Sequence, residues 1–296
     1  FVANANIINL SGCKPVLADS TSLENPNVSL KTIKKVFTKK TKAIYVVHFA
    51  GFPCDMAPIV KFCKKNKIYL IEDVAHAPGA SINNKKCGTF GDVSCFSFYS
   101  NKNLSTGEGG MVVTKNKRLS EHFQKIRSHG MTAATLDRHK GRASSYDVIS
   151  PGLNYRLDEI RGALGVVQLS KLISGNKKRK KLTERYYKNL ENLPLGLPFS
   201  KLSKEYQSAY HIMPVILPKE CKTEEIRDFL KNAGIQTSMH YPSFYNFSFY
   251  KEIFKNNNSP VSSEFIQREI TLPLYPTLDL REVDYVCDSL RKALIW

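Results

Sequence analysis

Residues able to do chemistry gather where two apolar runs end. The run IYLIEDV (Ile68 to Val74) closes on Glu72 and Asp73, with His76 just beyond. The run VSCFSFY (Val93 to Tyr99) contains Ser97 and leads at once into SNKNLSTGEGG, which carries Lys102. In an open α/β sheet the carboxyl ends of strands face the ligand crevice, so both chain reversals can open onto one edge. An amine, a carboxylate and a hydroxyl at one crevice suit pyridoxal phosphate chemistry. That chemistry needs an amine to form an imine, an anion facing the pyridine nitrogen, and hydroxyls or amides for the phosphate. Each residue also has a plain alternative. Asp73 reads equally as a turn or capping residue, Lys102 as a solvated surface charge, and His76 as a hydrogen-bonded structural histidine.

Placing these groups requires a layered frame, and the hydropathy pattern supplies one. AIYVVHF (Ala43 to Phe49), MAPIVKFCKKN (Met56 to Asn66) and IYLIEDV predict a β-α-β unit, with Ile59, Val60 and Cys63 on one side of the helix. Strands at Val93 to Phe98 and Gly110 to Thr114, then a helix from Lys117 to Ser128, extend this to an α/β layer with a mostly parallel sheet. The opening FVANANIINLSG reads as a strand entering a Gly turn. After the polar stretch Thr132 to Ser150, a helix is predicted from Leu157 toward Leu193, with Ile160, Leu164, Val167 and Leu172 near one face. Gly162 and Gly165 in that helix each cost about 1 kcal/mol relative to Ala; close backbone packing against a partner subunit would explain them. A Pro- and Gly-rich linker (Glu191 to Ser200) divides the chain into a large domain, 1–195, and a smaller α+β domain, 196–296. The second is predicted to hold strands His211 to Leu217 and Ile235 to His240, and helices Thr223 to Asn232, Ser262 to Glu269 and Leu280 to Leu294.

At 296 residues, 42% hydrophobic and 24% charged, the chain has the composition of a globular protein with a substantial core, not of a disordered or disulfide-stapled one. Its seven cysteines include no C-x-x-C pair, which points to a reducing, cytoplasmic setting and no metal site. No apolar stretch approaches the roughly 18 to 20 residues that cross a bilayer, so no membrane partner is expected. The net charge of +18 raises the question of nucleic acid. However, the densest basic run, Lys177 to Lys181 (KKRKK), lies in a helical pattern without interleaved aromatic residues and reads as a solvated face. A phosphorylated small molecule suits the charge equally well, and no nucleic-acid partner is expected.

Several long runs, in order, carry a resemblance: IEDVAHAPGA, KKCGTFGDVSCFSFYSNKNLSTGEGGMVVT, RSHGM and PGLNYRLDEIRGALGVVQLSKL, with FVANANIINLSGCKPVLAD before them and LPLYPTL (Leu272 to Leu278) after. Together they resemble the sugar aminotransferases of the DegT/DnrJ/EryC1/StrS family, pyridoxal 5'-phosphate enzymes of fold type I. His76 and RSHGM look most like the branch that aminates UDP-linked 4-keto sugars for surface glycans. The resemblance implies that Lys102 is the Schiff-base lysine and that Asp73 keeps the pyridine nitrogen protonated. It further implies that His76 lies beside the ring, that Ser97 binds the phosphate, and that Asn154 reaches the phosphate from the neighbouring subunit, making a homodimer with shared sites. His240, Tyr241 and Tyr99 match positions bordering the substrate pocket. The implied reaction is transfer of an amino group from an amino acid, glutamate above all, to a nucleotide-linked keto sugar.

In relatives an amino-terminal helix and a phosphate-cradling Gly-Ser/Thr turn precede the segment matching Phe1. The sequence therefore reads as part of a longer enzyme, the alternative being a non-catalytic dimeric scaffold. A second enzymatic alternative is sugar dehydration, in which relatives replace the lysine by His; Lys102 argues against it.

Overall fold

The structure is a computed structural model and describes residues 1–132, 141 and 145–294; part of the polar stretch Thr132 to Ser150 falls outside them. In chain order the main elements are α1 (Val2–Leu10), α2 (Leu30–Val36), β1 (Ala43–Val47), α3 (Met56–Asn66), β2 (Tyr69–Asp73), β3 (Ser81–Ile82), β4 (Lys85–Lys86), β5 (Val93–Ser97) and β6 (Gly110–Val113). They continue with α4 (Lys117–Ile126), α5 (Glu159–Leu190), β7 (Tyr206–Gln207), β8 (Met213–Ile216), α6 (Thr223–Asn232), α7 (Ser248–Lys251), α8 (Pro260–Arg268), β9 (Glu269–Leu272) and α9 (Leu280–Ala293).

The principal sheet has the order β1-β2-β5-β6. β1, β2 and β5 are parallel and β6 is antiparallel to β5, so the predicted α/β layer with a mostly parallel sheet is present. The β-α-β unit forms because α3 turns Met56, Ile59 and Cys63 onto Ile44, Val46 and Leu70 of the first two strands. A second core joins the carboxyl half of α5 (Leu182, Tyr186, Leu190) to β8, β9, α6 and α9. β8 and β9 pair antiparallel, Met213 opposite Leu272.

Four expectations are corrected. The opening segment is a helix, not a strand. Gly12, at φ 74°, sits just past its end, and the amides of Gly12 and Cys13 bond back to Asn9 and Ile8. That is the Schellman ending of a helix, which a sequence reader confuses with a strand turn. The helix is held by tertiary contacts, with Ala5 buried against Tyr250 and Phe254. Second, Ile235 to His240 is not a strand, since only Ser238 bridges, to Thr271. The strand that faces β8 is instead β9, where the predicted helix Ser262 to Glu269 gives out at Arg268. Third, Leu172 does not share the face of Ile160, Leu164 and Val167: those three are exposed, and Leu172 alone of the set is buried. Fourth, KKRKK is not uniformly solvated. Arg179 at its centre is buried and donates to the carbonyls of His211 (3.1 Å) and Leu274 (2.8 Å), where desolvation brings its guanidinium down to about 10.

Candidate active site

Successive residues of a strand point to opposite faces, and the tip of β2 uses both. Glu72 is fully buried on one face. Its carboxylate accepts hydrogen bonds from the amides of Gly88 (2.8 Å), Phe90 (2.7 Å) and Gly91 (2.6 Å), and from His48 Nε2 (3.1 Å). His48 Nδ1 in turn accepts from the Cys54 amide at 3.1 Å, which makes Nε2 the donor. Burial pushes the Glu72 carboxyl up, but the bonds from His48, Gly91 and Gly88 outweigh it and hold the group below its ordinary value. Glu72 thereby clasps the 88–91 turn to the sheet.

Asp73, on the other face, is the pivot of the site. It is buried, and its register partners are Val47 on β1 and Cys95 on β5. One carboxylate oxygen accepts from the Ala75 amide (2.9 Å), the other from Asn4 Nδ2 of α1 (3.1 Å). Burial, then the nearby Asp73 charge, raises the Tyr45 phenol. Lys102 lies in the turn after β5, its amide bonded to the Tyr99 carbonyl at 3.0 Å. Burial lowers its amine below the ordinary lysine value, and the charge of Asp73 works in the opposite direction. Asn103 anchors this turn, donating to Asn176 of α5 (2.9 Å) and to the Ala209 carbonyl (2.7 Å), while its oxygen meets His211 Nδ1 at 2.9 Å.

A layer of imidazoles closes the space beside the amine. The rings of His76 and His211 are 4.3 Å apart, and that of His240 lies 6.4 Å from His76. His76 Nε2 is 2.7 Å from the Tyr241 hydroxyl, whereas its Nδ1 is buried without a partner. Burial keeps all three rings neutral: His76 is held well below the usual imidazole value, with His211 and Lys102 adding to the effect, His211 likewise, with Lys102 and Arg179 adding to it, and His240 falls to about 4. The Tyr241 phenol is raised, first by burial and then by Asp73.

Of the residues singled out in the sequence, Asp73, His76, Lys102, His240 and Tyr241 therefore meet in one chain. Ser97 stands two residues past Cys95, on the same face of β5, and its hydroxyl accepts from the Tyr99 amide at 3.3 Å. Tyr99 is exposed. Asn154 is exposed too; it bridges to Ser128 and accepts from Arg156 Nε at 2.7 Å, apart from the Asp73 cluster. Sequence reasoning missed Asn4, Tyr45, Asn103, Asn176 and His211. Asn103 had a usable signal, its place next to Lys102; the others come from distant segments with no local pattern.

A profile of the DegT/DnrJ/EryC1/StrS aminotransferase family matches residues 1–291. The chain belongs to that family. GDP-perosamine synthase of Escherichia coli O157:H7 is 33% identical over 292 residues, spanning 99% of this chain and 76% of that protein. Among solved structures, Helicobacter pylori PseC, an aminotransferase of pseudoaminic acid biosynthesis, superimposes with a TM-score of 0.92 at 32% identity, covering 100% of this chain and 77% of the other. The putative sugar aminotransferase Spr1654 of Streptococcus pneumoniae, in its PLP form, gives 0.88 at 26% identity, with 100% and 79% coverage. The fold is thus that of the family's aminotransferases.

The residues present fit a pyridoxal phosphate ring. Among the described residues the Lys102 amine has no hydrogen bond or ion pair, a buried carboxylate stands near it, and His76 presents a buried nitrogen with nothing to bond. No helix among the described residues is long and apolar enough to cross a membrane.

Proposed function

We propose that this aminotransferase, as a homodimer binding pyridoxal 5'-phosphate, moves the amino group of an amino acid, glutamate in the first instance, to a nucleotide-linked keto sugar in cytoplasmic surface-glycan or amino-sugar biosynthesis. The observation that carries the reading is the partly desolvated Lys102 amine beside Asp73, without a hydrogen bond or ion pair among the described residues, in a chain of this family. The chain's likeness to GDP-perosamine synthase and to PseC, an aminotransferase of pseudoaminic acid biosynthesis, supports the substrate class. When bound, pyridoxal phosphate supplies an electron-accepting ring for bond breaking next to nitrogen.

The chain's residues take the remaining roles. Lys102 Nζ holds the cofactor and, when free, takes and returns a proton; lowering of its pKa by burial favours the neutral amine that this needs. Asp73 holds a proton on the ring nitrogen, with Asn4 and the Ala75 amide fixing the carboxylate. His76 lies beside the ring, oriented by Tyr241. Ser97, and Asn154 from the second copy, bind the phosphate. His240, Tyr241 and Tyr99 border the sugar.

The homodimer is supported by the amino-terminal half of α5. Ile160 (84% exposed), Leu164 and Val167 recur at i, i+4 and i+7 with Tyr155 just ahead, an exposed apolar face of the kind that marks an interaction site. A Cβ on Gly162 would meet nothing within this chain, which suits the close approach of a second copy. For the division into domains 1–195 and 196–296, the β1-α3-β2 core lies wholly in the first and the carboxyl half of α5 serves the core of the second, while Ala50 and Phe52 against Phe199 and Ile212, and Ala5 against Tyr250 and Phe254, tie the two together.

Lys102→Ala is the direct test. Wild type incubated with pyridoxal phosphate gains a visible absorption that borohydride fixes to a peptide containing Lys102. The variant gains none and loses amino transfer by about a hundredfold or more. A variant that keeps both refutes the assignment.

A further inference from the structure

Behind the imidazole layer, three side chains form a line that ends at His240. Glu269 opens β9 and is fully buried. Thr271, two residues on, shares its face of the strand, and the Ser238 bridge to Thr271 brings His240 alongside. One oxygen of Glu269 accepts from the His240 amide at 3.0 Å, and the other receives the Thr271 hydroxyl. Thr271 Oγ1 lies 2.8 Å from His240 Nδ1. A hydroxyl has one hydrogen to give. While Thr271 gives it to Glu269, its oxygen only accepts, so Nδ1 carries the imidazole hydrogen and Nε2 keeps a lone pair. His240 is half-buried, and its Nε2 has no partner among the described residues.

We propose that Glu269, through Thr271, sets the tautomer of His240 and thereby decides whether Nε2 accepts or donates a hydrogen bond on the side of the ring away from Thr271. With Glu269 ionised, Nε2 accepts. When Glu269 takes up one proton, the line reverses. The carboxyl O–H donates to Thr271, Thr271 donates to Nδ1, and the single imidazole hydrogen moves to Nε2. The ring stays neutral in both states, and the only proton gained is on Glu269.

The surroundings place this reversal near neutrality. Burial raises the Glu269 carboxyl to about 7, opposed by the Thr271 and His240 hydrogen bonds and by the charge of Arg227 on α6. Tyr241 is the other ionisable group near it. His240 itself is faced by Lys102, His76 and His211, and falls to about 4, so it remains uncharged throughout. On the function proposed above, on which this part rests, the group at Nε2 is a hydroxyl of the keto sugar, and Glu269 and Thr271 are positioning residues. The tautomer itself is independent of that reading.

The test uses the full chain reconstituted with pyridoxal phosphate and carrying ring-15N histidine, with His240→Gln to assign the signals. At about pH 8.5 wild type is expected to show protonated Nδ1 and bare Nε2, changing to protonated Nε2 toward about pH 6. In Glu269→Gln the amide oxygen still accepts from the His240 N–H, which turns the NH2 toward Thr271 and holds the protonated-Nε2 form at every pH. Thr271→Val abolishes the pH dependence with circular dichroism unchanged. Glu269→Gln is also expected to raise KM for the sugar about tenfold with the amino-acid half-reaction unaltered. A His240 spectrum that is the same in wild type and both variants overturns the proposal. Tautomer switching without amino transfer supports this inference and refutes the function proposed above.

Discussion

Mild acid should weaken this protein through its buried imidazoles. His76, His211 and His240 all have imidazoles that folding pushes down from 6.5, chiefly by burial. In the unfolded chain each takes a proton as the pH drops through about 6.5, whereas the folded state refuses it. Their stability contribution is whole above that point and is lost as pH falls below it, for His240 levelling off near about 4. Integrated over about one pH unit below 6.5, each imidazole costs about 1 kcal/mol and the three together about 3 kcal/mol. Glu269, raised to about 7 by folding, takes up its proton in the folded state over the same range and returns about 1 kcal/mol, leaving a net loss of about 2 kcal/mol. That is a large share of the roughly 5–15 kcal/mol that holds a domain. Urea midpoints at about pH 7.5, 6.5 and 5.5, at fixed ionic strength and protein concentration, read the effect; an unchanged dependence on urea concentration would show that the same surface unfolds. His76→Asn should flatten the pH slope by about half. A midpoint that does not move between about pH 6.5 and 5.5, or a slope that ignores His76→Asn, refutes the reasoning.

Removing the Glu72 clasp should be costly even though Glu72 faces away from the site. Glu72→Ala strands buried His48, the buried Gly88 amide and the half-buried amides of Phe90 and Gly91, and a loss of about 3–5 kcal/mol in urea unfolding is expected; a loss under about 1 kcal/mol contradicts the clasp. Ile160→Asp puts charge on the exposed face of α5. It should convert the dimer to monomer in sedimentation at micromolar concentration and abolish amino transfer, while a wild-type chain that already sediments as a monomer would exclude the shared site.

The sheet was legible because burial on both faces writes continuous apolar runs, and the α3 and α6 boundaries were read without error because amphipathic spacing is local. α1 was misread since the alternation in VANANI mimics a strand, and its helix is decided by Tyr250 and Phe254, more than two hundred residues away. β9 was hidden because EITL follows a helical run without a turn residue between them. The Asp73–Lys102 pairing could be anticipated from strand ends. The His211, Asn103 and Asn176 contacts could not, since each links segments whose proximity only the tertiary structure creates.

α5 has one further consequence. Its 32 residues run uninterrupted by proline for about 48 Å, from the exposed apolar face to the second core. Midway along it, Asn176 grips Asn103, the neighbour of Lys102, and Arg179 grips the backbone of His211. A rod of this kind has no joint, so its two ends and the turn fastened to its middle are mechanically in series. Tilting either end moves the fulcrum on which the lysine's turn is hung.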